Sequence, residues 1–354
     1  MTIDVLVVDD SPLMQRIITR LLQSDSRIRV IDTASDGVEA LDKVKRHRPD
    51  VVTLDIEMPR MDGLEALGHI LREAPTPIVM LSGLQEADFA VRALQLGAVE
   101  FVAKPSGTLS IDLYKVREEL IQKVKMATMV NLERTLSDRK TLTSSSVESS
   151  DSPARRPVAA GDPEYLVVIG ASTGGPRALR QIVSALPGDL PAAFLIVQHM
   201  PAGFTKSFSE RLNKHSPLRV VEAEEGEVVK MGHGYVAPGG VHLTVVAEGS
   251  RCRLRLLETP PVNGVRPSVD VLMNSVAQAR GDKAIGILLT GMGADGTDGL
   301  TAIHTSGGVT IAQNRETSAV FGMPRSAIRA GVVARVRSLD AIPSAIVDSI
   351  ERSP

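Results

Sequence analysis

Val-Ile-Gly-Ala-Ser-Thr-Gly-Gly at residues 168–175 runs from an apolar strand pattern into a serine that has glycines on both sides. Gly170, Ser172 and Gly174 fit the pattern G-x-S-x-G, in which small neighbours allow a sharp strand-to-helix turn that holds the hydroxyl clear of the backbone. The stretch therefore predicts an α/β fold for this part of the chain and makes Ser172 a candidate nucleophile.

The sequence on either side of this serine alternates between strand and helix patterns. Apolar runs lie near 165–169, 193–198, 284–289 and 309–313, and helical patterns near 176–186, 203–214, 268–280 and 297–306. Such alternation is typical of a parallel sheet covered by helices. Residues 218–258 differ, because their short alternating segments and the turn-like Glu248-Gly249-Ser250 predict an antiparallel hairpin insertion.

The first part of the chain shows the same alternation. Strand patterns lie near 3–8, 28–33, 50–54, 76–81 and 99–103, and helical patterns near 12–23, 37–46, 64–73, 86–96 and 112–135. Five such units predict a doubly wound parallel sheet, and a strand order of 2-1-3-4-5 would bring its acidic residues together.

A change of composition separates the two parts. Between Leu136 and Pro163 the chain is rich in Ser, Thr, Asp, Arg and Pro and has few apolar residues, which predicts a flexible linker. We therefore expect a flavodoxin-like domain over residues 1–125, with a last helix that reaches as far as 136. A linker over 137–163 follows, and then a Rossmann-like α/β domain over 164–354 with the hairpin insertion.

Composition disfavours several classes of function. A net charge of -2 leaves no basic excess for nucleic acid or for an anionic membrane surface, and a chain with no Trp and 3% aromatic residues offers no stacking platform for single strands. No stretch approaches 18 uninterrupted apolar residues, and the acidic N-terminus does not resemble a signal peptide. The single Cys252 excludes an intrachain disulfide. We expect a cytoplasmic protein without nucleic-acid binding or membrane insertion, whose partner is a protein or a small molecule.

Five polar side chains follow strands of the first predicted sheet. Asp9 and Asp10 end the first strand and Asp55 ends the third, and carboxylate oxygens at such a switch point suit Mg²⁺ and phosphoryl chemistry. Ser82 and Lys104, after the fourth and fifth strands, add a hydroxyl and an ammonium that suit phosphate oxygens. Any one of the five is compatible with ordinary turn chemistry or a solvated charge, but together they favour a phosphoryl site.

The motifs around these residues resemble a known family. Asp-Asp-Ser at 9–11, Asp-Ile-Glu-Met-Pro-Arg-Met-Asp-Gly at 55–63 and Lys-Pro at 104–105 make residues 1–125 resemble the response-regulator receiver domain. The resemblance implies that Asp55 accepts a phosphoryl group from a histidine kinase and that Asp9 and Asp10 help to hold Mg²⁺. It also implies that Ser82 and Lys104 sense the phosphoryl group.

A serine needs a base and an orienting carboxylate to become a nucleophile. His199 directly follows the apolar run 194–198, so neighbouring parallel strands would place His199 and Ser172 at the same edge of the sheet. The carboxylate falls in the loop that begins Thr290-Gly291-Met292, where either Asp295 or Asp298 could turn toward the histidine. The sequence does not separate these two.

The same loop also fits a dinucleotide-binding pattern. Gly291, Gly293 and Gly296 satisfy G-x-G-x-x-G, but the acidic residue expected after the next strand is replaced by Gln313-Asn314. Asp295 inside the loop would in addition repel a pyrophosphate. The sequence therefore disfavours a nucleotide cofactor here.

Residues 165–330 resemble the catalytic domain of the chemotaxis protein-glutamate methylesterases. The resemblance is carried by Ile-Gly-Ala-Ser-Thr-Gly-Gly-Pro at 169–176, Gln-His-Met-Pro-Ala-Gly-Phe at 198–204, Tyr-Val-Ala-Pro-Gly-Gly at 235–240, Arg-Pro-Ser-Val-Asp-Val-Leu at 266–272 and Thr-Gly-Met-Gly-Ala-Asp-Gly at 290–296. It implies that Ser172 is the nucleophile, His199 the base and Asp295 the orienting acid. It further implies glutamate methyl esters and glutamines of chemoreceptor cytoplasmic domains as substrates, hydrolysed without a cofactor.

Two further expectations complete this interpretation. Backbone N–H groups near Thr173 and Met292 are predicted to form the oxyanion hole. Phosphorylation of Asp55 is expected to activate the hydrolase by relieving a restriction that the unmodified first domain places on it. Two alternatives remain open: an output module without enzymatic activity, and a hydrolase with the same triad but a different small ester or amide as substrate.

Overall fold

The structure is a computed structural model that describes residues 2–83, 87–104, 110–130 and 161–351, with the backbone alone over 110–115. The chain divides into two compact units, Met1–Val147 and Glu148–Pro354. Each unit has its own hydrophobic core. Most of the predicted linker, and residues 131–136 of the predicted last helix, lie outside the described residues.

The first unit is a five-stranded parallel sheet. Its strands are β1 (Ile3–Val8), β2 (Ile28–Ala34), β3 (Val51–Asp55), β4 (Ile78–Ser82) and β5 (Glu100–Ala103), and its helices are α1 (Pro12–Gln23), α2 (Gly37–His47), α3 (Gly63–Glu73), α4 (Ala87–Leu96) and α5 (Ser110–Ala127). The order β2-β1-β3-β4-β5 with parallel pairing throughout confirms the predicted topology. This order brings the carboxyl ends of β1 and β3 next to each other.

The last helix of this unit is shorter than predicted. It ends at Ala127, and residues 128–130 form turns and a bend instead of continuing toward 136. Met129 N donates to Met126 O at 2.9 Å and Thr128 Oγ1 donates to Lys125 O at 2.8 Å. These tighter bonds use carbonyls of the last turn and so close the helix.

The second unit is a seven-stranded parallel sheet with a separate hairpin. Its strands are β6 (Tyr165–Ala171), β7 (Ala192–Gln198), β8 (Arg219–Glu222), β9 (His233–Val236), β10 (His242–Glu248), β11 (Arg251–Leu257), β12 (Ala284–Leu288), β13 (Val309–Gln313) and β14 (Arg335–Arg337). Its helices are α6 (Gly175–Ala185), α7 (Phe204–Lys214), α8 (Val269–Arg280), α9 (Thr297–Thr305), α10 (Met323–Arg329) and α11 (Ile342–Glu351). The sheet order is β14-β13-β12-β6-β7-β9-β8, and β10 and β11 form a separate two-stranded sheet.

The predicted antiparallel insertion over 218–258 is right in its second half and wrong in its first. β10 and β11 form the antiparallel hairpin. By contrast, β8 and β9 pair in parallel with each other, and β9 pairs in parallel with β7, so both extend the main sheet. Short alternating segments do not reveal strand direction, which here is set by the chain crossing back between Glu222 and His233.

The central strands explain the continuous apolar runs in the sequence. Every residue of β6, β7 and β12 is buried, as expected for parallel strands with both faces covered by helices. Helices that combine the length and apolar character needed to cross a bilayer do not occur in the described ranges.

Candidate active site and phosphoryl site

Ser172 lies in the turn between β6 and α6, where the sequence motif places it. Gly174 adopts a φ of 76°, a conformation that favours glycine, and α6 begins at the next residue. The Ser172 carbonyl accepts hydrogen bonds from Gly175 N at 2.7 Å and from Gln198 Nε2 at 3.0 Å, and the Ser172 N–H donates to Thr290 O at 3.0 Å. The backbone of the candidate nucleophile is thus fixed by three neighbouring segments.

His199 stands beside this turn because β6 and β7 are adjacent. The two strands pair in parallel up to Ala171 and Gln198, so Ser172 and His199 are the next residues at the same edge of the sheet. His199 N donates to Ala171 O at 3.1 Å. Within the described part of the chain, Ser172 Oγ makes no hydrogen bond, as is common for a nucleophile before substrate binds.

The carboxylate that meets His199 is Asp295. His199 Nε2 lies 2.8 Å from Asp295 Oδ2, with the two side chains 12% and 4% exposed. Asp298 instead is exposed in the first turn of α9. The geometry therefore singles out Asp295, the carboxylate that the family resemblance implies and that the local pattern alone does not separate from Asp298.

Donors from the start of α8 hold Asp295 in place. Its Oδ2 accepts a hydrogen bond from Val269 N at 2.7 Å, and its Oδ1 accepts one from Ser268 Oγ at 2.6 Å. Burial raises the pKa of Asp295, but hydrogen bonds from His199, Ser268 and Val269 and the charge of His199 outweigh it and leave this pKa below its usual range. Asp295 is consequently ionised at neutral pH and can stabilise a protonated His199.

Several of the supporting residues were missed in the sequence. Ser268 and Asp270 lie in the motif at 266–272, where the pattern alone gave them no role. His242 is fully buried, accepts a hydrogen bond from Ser268 N at 3.1 Å through Nδ1 and contacts Pro260 O at 3.1 Å through Nε2. This arrangement fixes one neutral tautomer of His242 and makes it a support for the start of α8.

The two residues predicted for the oxyanion hole flank Ser172. Thr173 is buried, and its carbonyl accepts a hydrogen bond from Thr290 Oγ1 at 2.9 Å. Met292 lies in the loop after β12 with its side chain 51% exposed. The preceding residue packs on the serine, since a Cβ at Gly291 would lie 2.8 Å from that of Ser172. Their backbone N–H groups as donors to an oxyanion stay a prediction.

The first unit brings its five predicted residues to one edge of its sheet. One carboxylate oxygen from each of Asp9, Asp10 and Asp55 lies within 4.8 Å of the others. Lys104 Nζ is 2.6 Å from Asp55 Oδ1 and 3.2 Å from Asp9 Oδ2. Ser82 is buried at the end of β4, where its carbonyl accepts a hydrogen bond from Lys104 N at 2.8 Å.

The charges of this cluster oppose one another. Burial raises the pKa of Asp55 to about 6, and the Asp9 charge adds to the rise, whereas Lys104 acts against it. Burial also acts to lower the pKa of Lys104, but the hydrogen bonds and charges of Asp55 and Asp9 raise it overall. The three carboxylates supply hard oxygen ligands, and the single ammonium beside them leaves the cluster with excess negative charge. Such a set of ligands fits Mg²⁺.

Known proteins match both units. The CheB methylesterase family model matches residues 167–346, and the response regulator receiver domain model matches residues 5–112. The chain is 48% identical over 355 residues to the protein-glutamate methylesterase/protein-glutamine glutaminase of Geobacillus kaustophilus, with 99% of each chain covered. It is 46% identical to the protein of the same name from Symbiobacterium thermophilum, with 98% of this chain and 97% of that one covered. Among solved structures, the CheB methylesterase catalytic domain of Thermotoga maritima aligns with a TM-score of 0.51 and 44% identity, covering 52% of this chain and 97% of that domain.

Proposed function

Because this chain belongs to the CheB methylesterase family and carries a response-regulator receiver domain ahead of the methylesterase domain, we propose that it hydrolyses glutamate γ-methyl esters on chemoreceptors. Methanol is the second product, and receptor glutamines are deamidated to glutamates at the same site. Phosphorylation of Asp55 regulates the activity. The observation that carries the proposal is the contact between His199 Nε2 and Asp295 Oδ2 at the sheet edge where Ser172 stands.

The proposed reaction has two stages. The Ser172 hydroxyl attacks the ester carbonyl, and its proton passes to Nδ1 of His199, because Nε2 is engaged by Asp295. The tetrahedral intermediate collapses as the protonated His199 returns the proton to the methoxy oxygen, so methanol leaves and a glutamyl ester of Ser172 remains. Water, deprotonated by His199, then hydrolyses that ester and regenerates the serine.

The negative charge of the intermediate needs fixed donors. We assign this role to backbone N–H groups of Thr173 and Met292, and loss of one such donor costs about 3 kcal/mol of transition-state stabilisation. A primary amide passes through a similar tetrahedral intermediate but releases ammonia, a poorer leaving group than methanol. Deamidation is therefore expected to be the slower of the two reactions.

Phosphorylation in receiver domains depends on Mg²⁺, which offsets the negative charge of the incoming phosphoryl group when it is bound. In this chain Asp9, Asp10 and Asp55 would hold the ion. Asp55 accepts the phosphoryl group from a histidine kinase, and the Lys104 ammonium and the Ser82 hydroxyl then bind phosphoryl oxygens. In the unphosphorylated protein Lys104 pairs with the Asp55 carboxylate, so phosphorylation would move this ammonium to a phosphoryl oxygen.

The partners follow from this chemistry. The substrate side chains lie on the cytoplasmic helical bundle of a chemoreceptor, and the phosphodonor is a chemotaxis histidine kinase, so we place the protein in the cytoplasm. An output module without enzymatic activity is not favoured, because the methylesterase family match spans the second unit. A triad hydrolase with a different substrate is separated from the proposal by the substrate test below.

The proposal predicts how methanol release from methyl-esterified chemoreceptor membranes responds to two substitutions. Ser172→Ala should abolish release, and Asp55→Ala should release methanol but no longer respond to a small-molecule phosphodonor with Mg²⁺. Chelation of Mg²⁺ should remove the stimulation of the wild type and leave its unstimulated rate unchanged. Release that survives Ser172→Ala would overturn the triad, and hydrolysis of small esters without release from receptors would favour the alternative hydrolase.

A further inference from the structure

Two buried carboxyl groups lie side by side, one of them in contact with His199, and one amide donates to both. Asp270 and Asp295 are 4% and 3% exposed. Asn263 Nδ2 donates to Asp270 Oδ2 at 2.7 Å and to Asp295 Oδ1 at 3.2 Å. Like charges buried this close destabilise each other unless donors offset them. The hydrogen bonds from the Asn263 amide therefore offset part of the repulsion between the Asp270 and Asp295 carboxylates.

Asn263 reaches this position from a tight turn. Val262 N donates to Val265 O at 3.1 Å and Val265 N donates to Val262 O at 3.0 Å, which closes a two-residue hairpin. Asn263 and Gly264 between them have φ angles of 54° and 77°. Two consecutive positive φ angles at an Asn-Gly pair form a type I′ turn. The backbone that carries the amide is thus held in a defined conformation.

Asp270 orients the amide. Its Oδ1 accepts a hydrogen bond from Gly299 N on α9 at 2.7 Å, and its Oδ2 accepts the one from Asn263. With both oxygens engaged, the Asp270 carboxyl group fixes one N–H of the amide and leaves the other for Asp295. Burial and the charge of Asp295 raise the pKa of Asp270 despite the Gly299 hydrogen bond, as expected for two carboxyl groups in contact with one amide.

We propose that Asn263 and Asp270 are positioning residues of the hydrolase. Asp270 orients the Asn263 amide, and the amide holds Oδ1 of Asp295 so that Oδ2 faces His199. The inference rests on the proposed function, because it concerns the same triad, but neither residue touches the reacting atoms.

Loss of the amide has a defined electrostatic consequence. The charged groups around it are Asp270 on α8, Asp295 in the loop after β12, His199 at the end of β7 and Asp298 on α9. With one donor fewer, the Asp295 carboxylate carries more negative charge toward Nε2 of His199 and stabilises the protonated imidazole more strongly. The acidic limb of the pH profile then moves to higher pH, since the base must be unprotonated.

Asn263→Gly tests the amide, because glycine keeps the positive φ of the turn and removes only the side chain. We expect kcat for methanol release to fall about tenfold, KM to stay unchanged, and the acidic limb of kcat/KM to move to higher pH. Gly264→Asn serves as the control for the turn. Ser275→Ala serves as the control for α8, since it removes the hydrogen bond from Val245 N at 3.0 Å. Both controls should keep the wild-type kcat and acidic limb.

Asp270→Asn and the double variant test whether Asp270 acts through Asn263. If it does, the double variant is no less active than the less active of the two single variants, because both substitutions remove the same interaction. Losses that multiply would overturn the proposal. Should Asp270→Asn fail to fold, Asn263→Gly decides alone, and a wild-type kcat with a wild-type acidic limb contradicts the proposal. Loss of release in Ser172→Ala alongside that result shows that the proposed function stands and only this inference fails.

Discussion

Asp55 is a buried carboxyl group that destabilises the folded receiver domain when it is ionised. It is 1% exposed at the end of β3, and burial raises its pKa to about 6. The unfolded value is about 3.9. The folded state therefore binds more protons between about pH 4 and pH 6, and stability falls as the pH rises through that window. Above it the ionised carboxylate destabilises the receiver domain by at most about 3 kcal/mol.

Replacement of this charge should stabilise the protein. In Asp55→Asn, without Mg²⁺ and at pH 8, we expect the free energy of unfolding of the receiver domain to rise by about 1 to 3 kcal/mol over wild type, because the buried charge is gone. The difference should shrink steeply between about pH 6 and pH 4, because the folded carboxyl becomes protonated there, and it should vanish below about pH 3, where Asp55 is protonated in both states. Calorimetry of the full chain at several pH values measures this, with Mg²⁺ addition as the control that stabilises wild type alone. Equal stability at all pH values would contradict it.

At the scale of secondary-structure elements, the sequence correctly predicted the features that depend on the local alternation of apolar and polar residues. β6 and β7 are continuous apolar runs, so their adjacency and the common edge of Ser172 and His199 followed from the α/β alternation. The choice of Asp295 over Asp298 did not follow, because it depends on donors at the start of α8, which are distant in sequence. The parallel direction of β8 was missed for a similar reason, since only its pairing with β9 decides it.

The turn between β6 and α6 carries Ser172, the proposed nucleophile. A Cβ at Gly175 would lie 2.0 Å from Oε1 of Gln198, the residue whose Nε2 donates to the Ser172 carbonyl. Gly175→Ala should therefore displace Gln198, lower kcat about tenfold and destabilise the protein by about 1 to 3 kcal/mol. The control is Gly68→Ala inside α3, where a Cβ would meet nothing within 4 Å. That variant should gain about 0.5 to 1 kcal/mol in unfolding free energy and keep wild-type methanol release. A Gly175→Ala enzyme with wild-type kcat would show that the turn tolerates the added methyl group.

At the scale of the whole molecule, Asp55 and Ser172 belong to two units with separate cores. The proposed regulation therefore requires that phosphorylation of Asp55 in the first unit changes the rate of hydrolysis at Ser172 in the second. Within the part of the chain that the structure describes, the core around β6 and β7 is built from residues of the second unit, so the fragment 151–354 is expected to fold without the receiver domain. If the unphosphorylated receiver restricts the active site, this fragment should release methanol faster than the unphosphorylated full chain and ignore a phosphodonor. A shift from 1% to 99% unrestricted needs about 5.5 kcal/mol, whereas a tenfold activation needs only about 1.4 kcal/mol. Initial rates of methanol release at equal concentrations of folded protein measure the difference. A fragment no faster than the full chain would show that the receiver does not inhibit, and that phosphorylation must stimulate by adding an interaction with the hydrolase or its substrate.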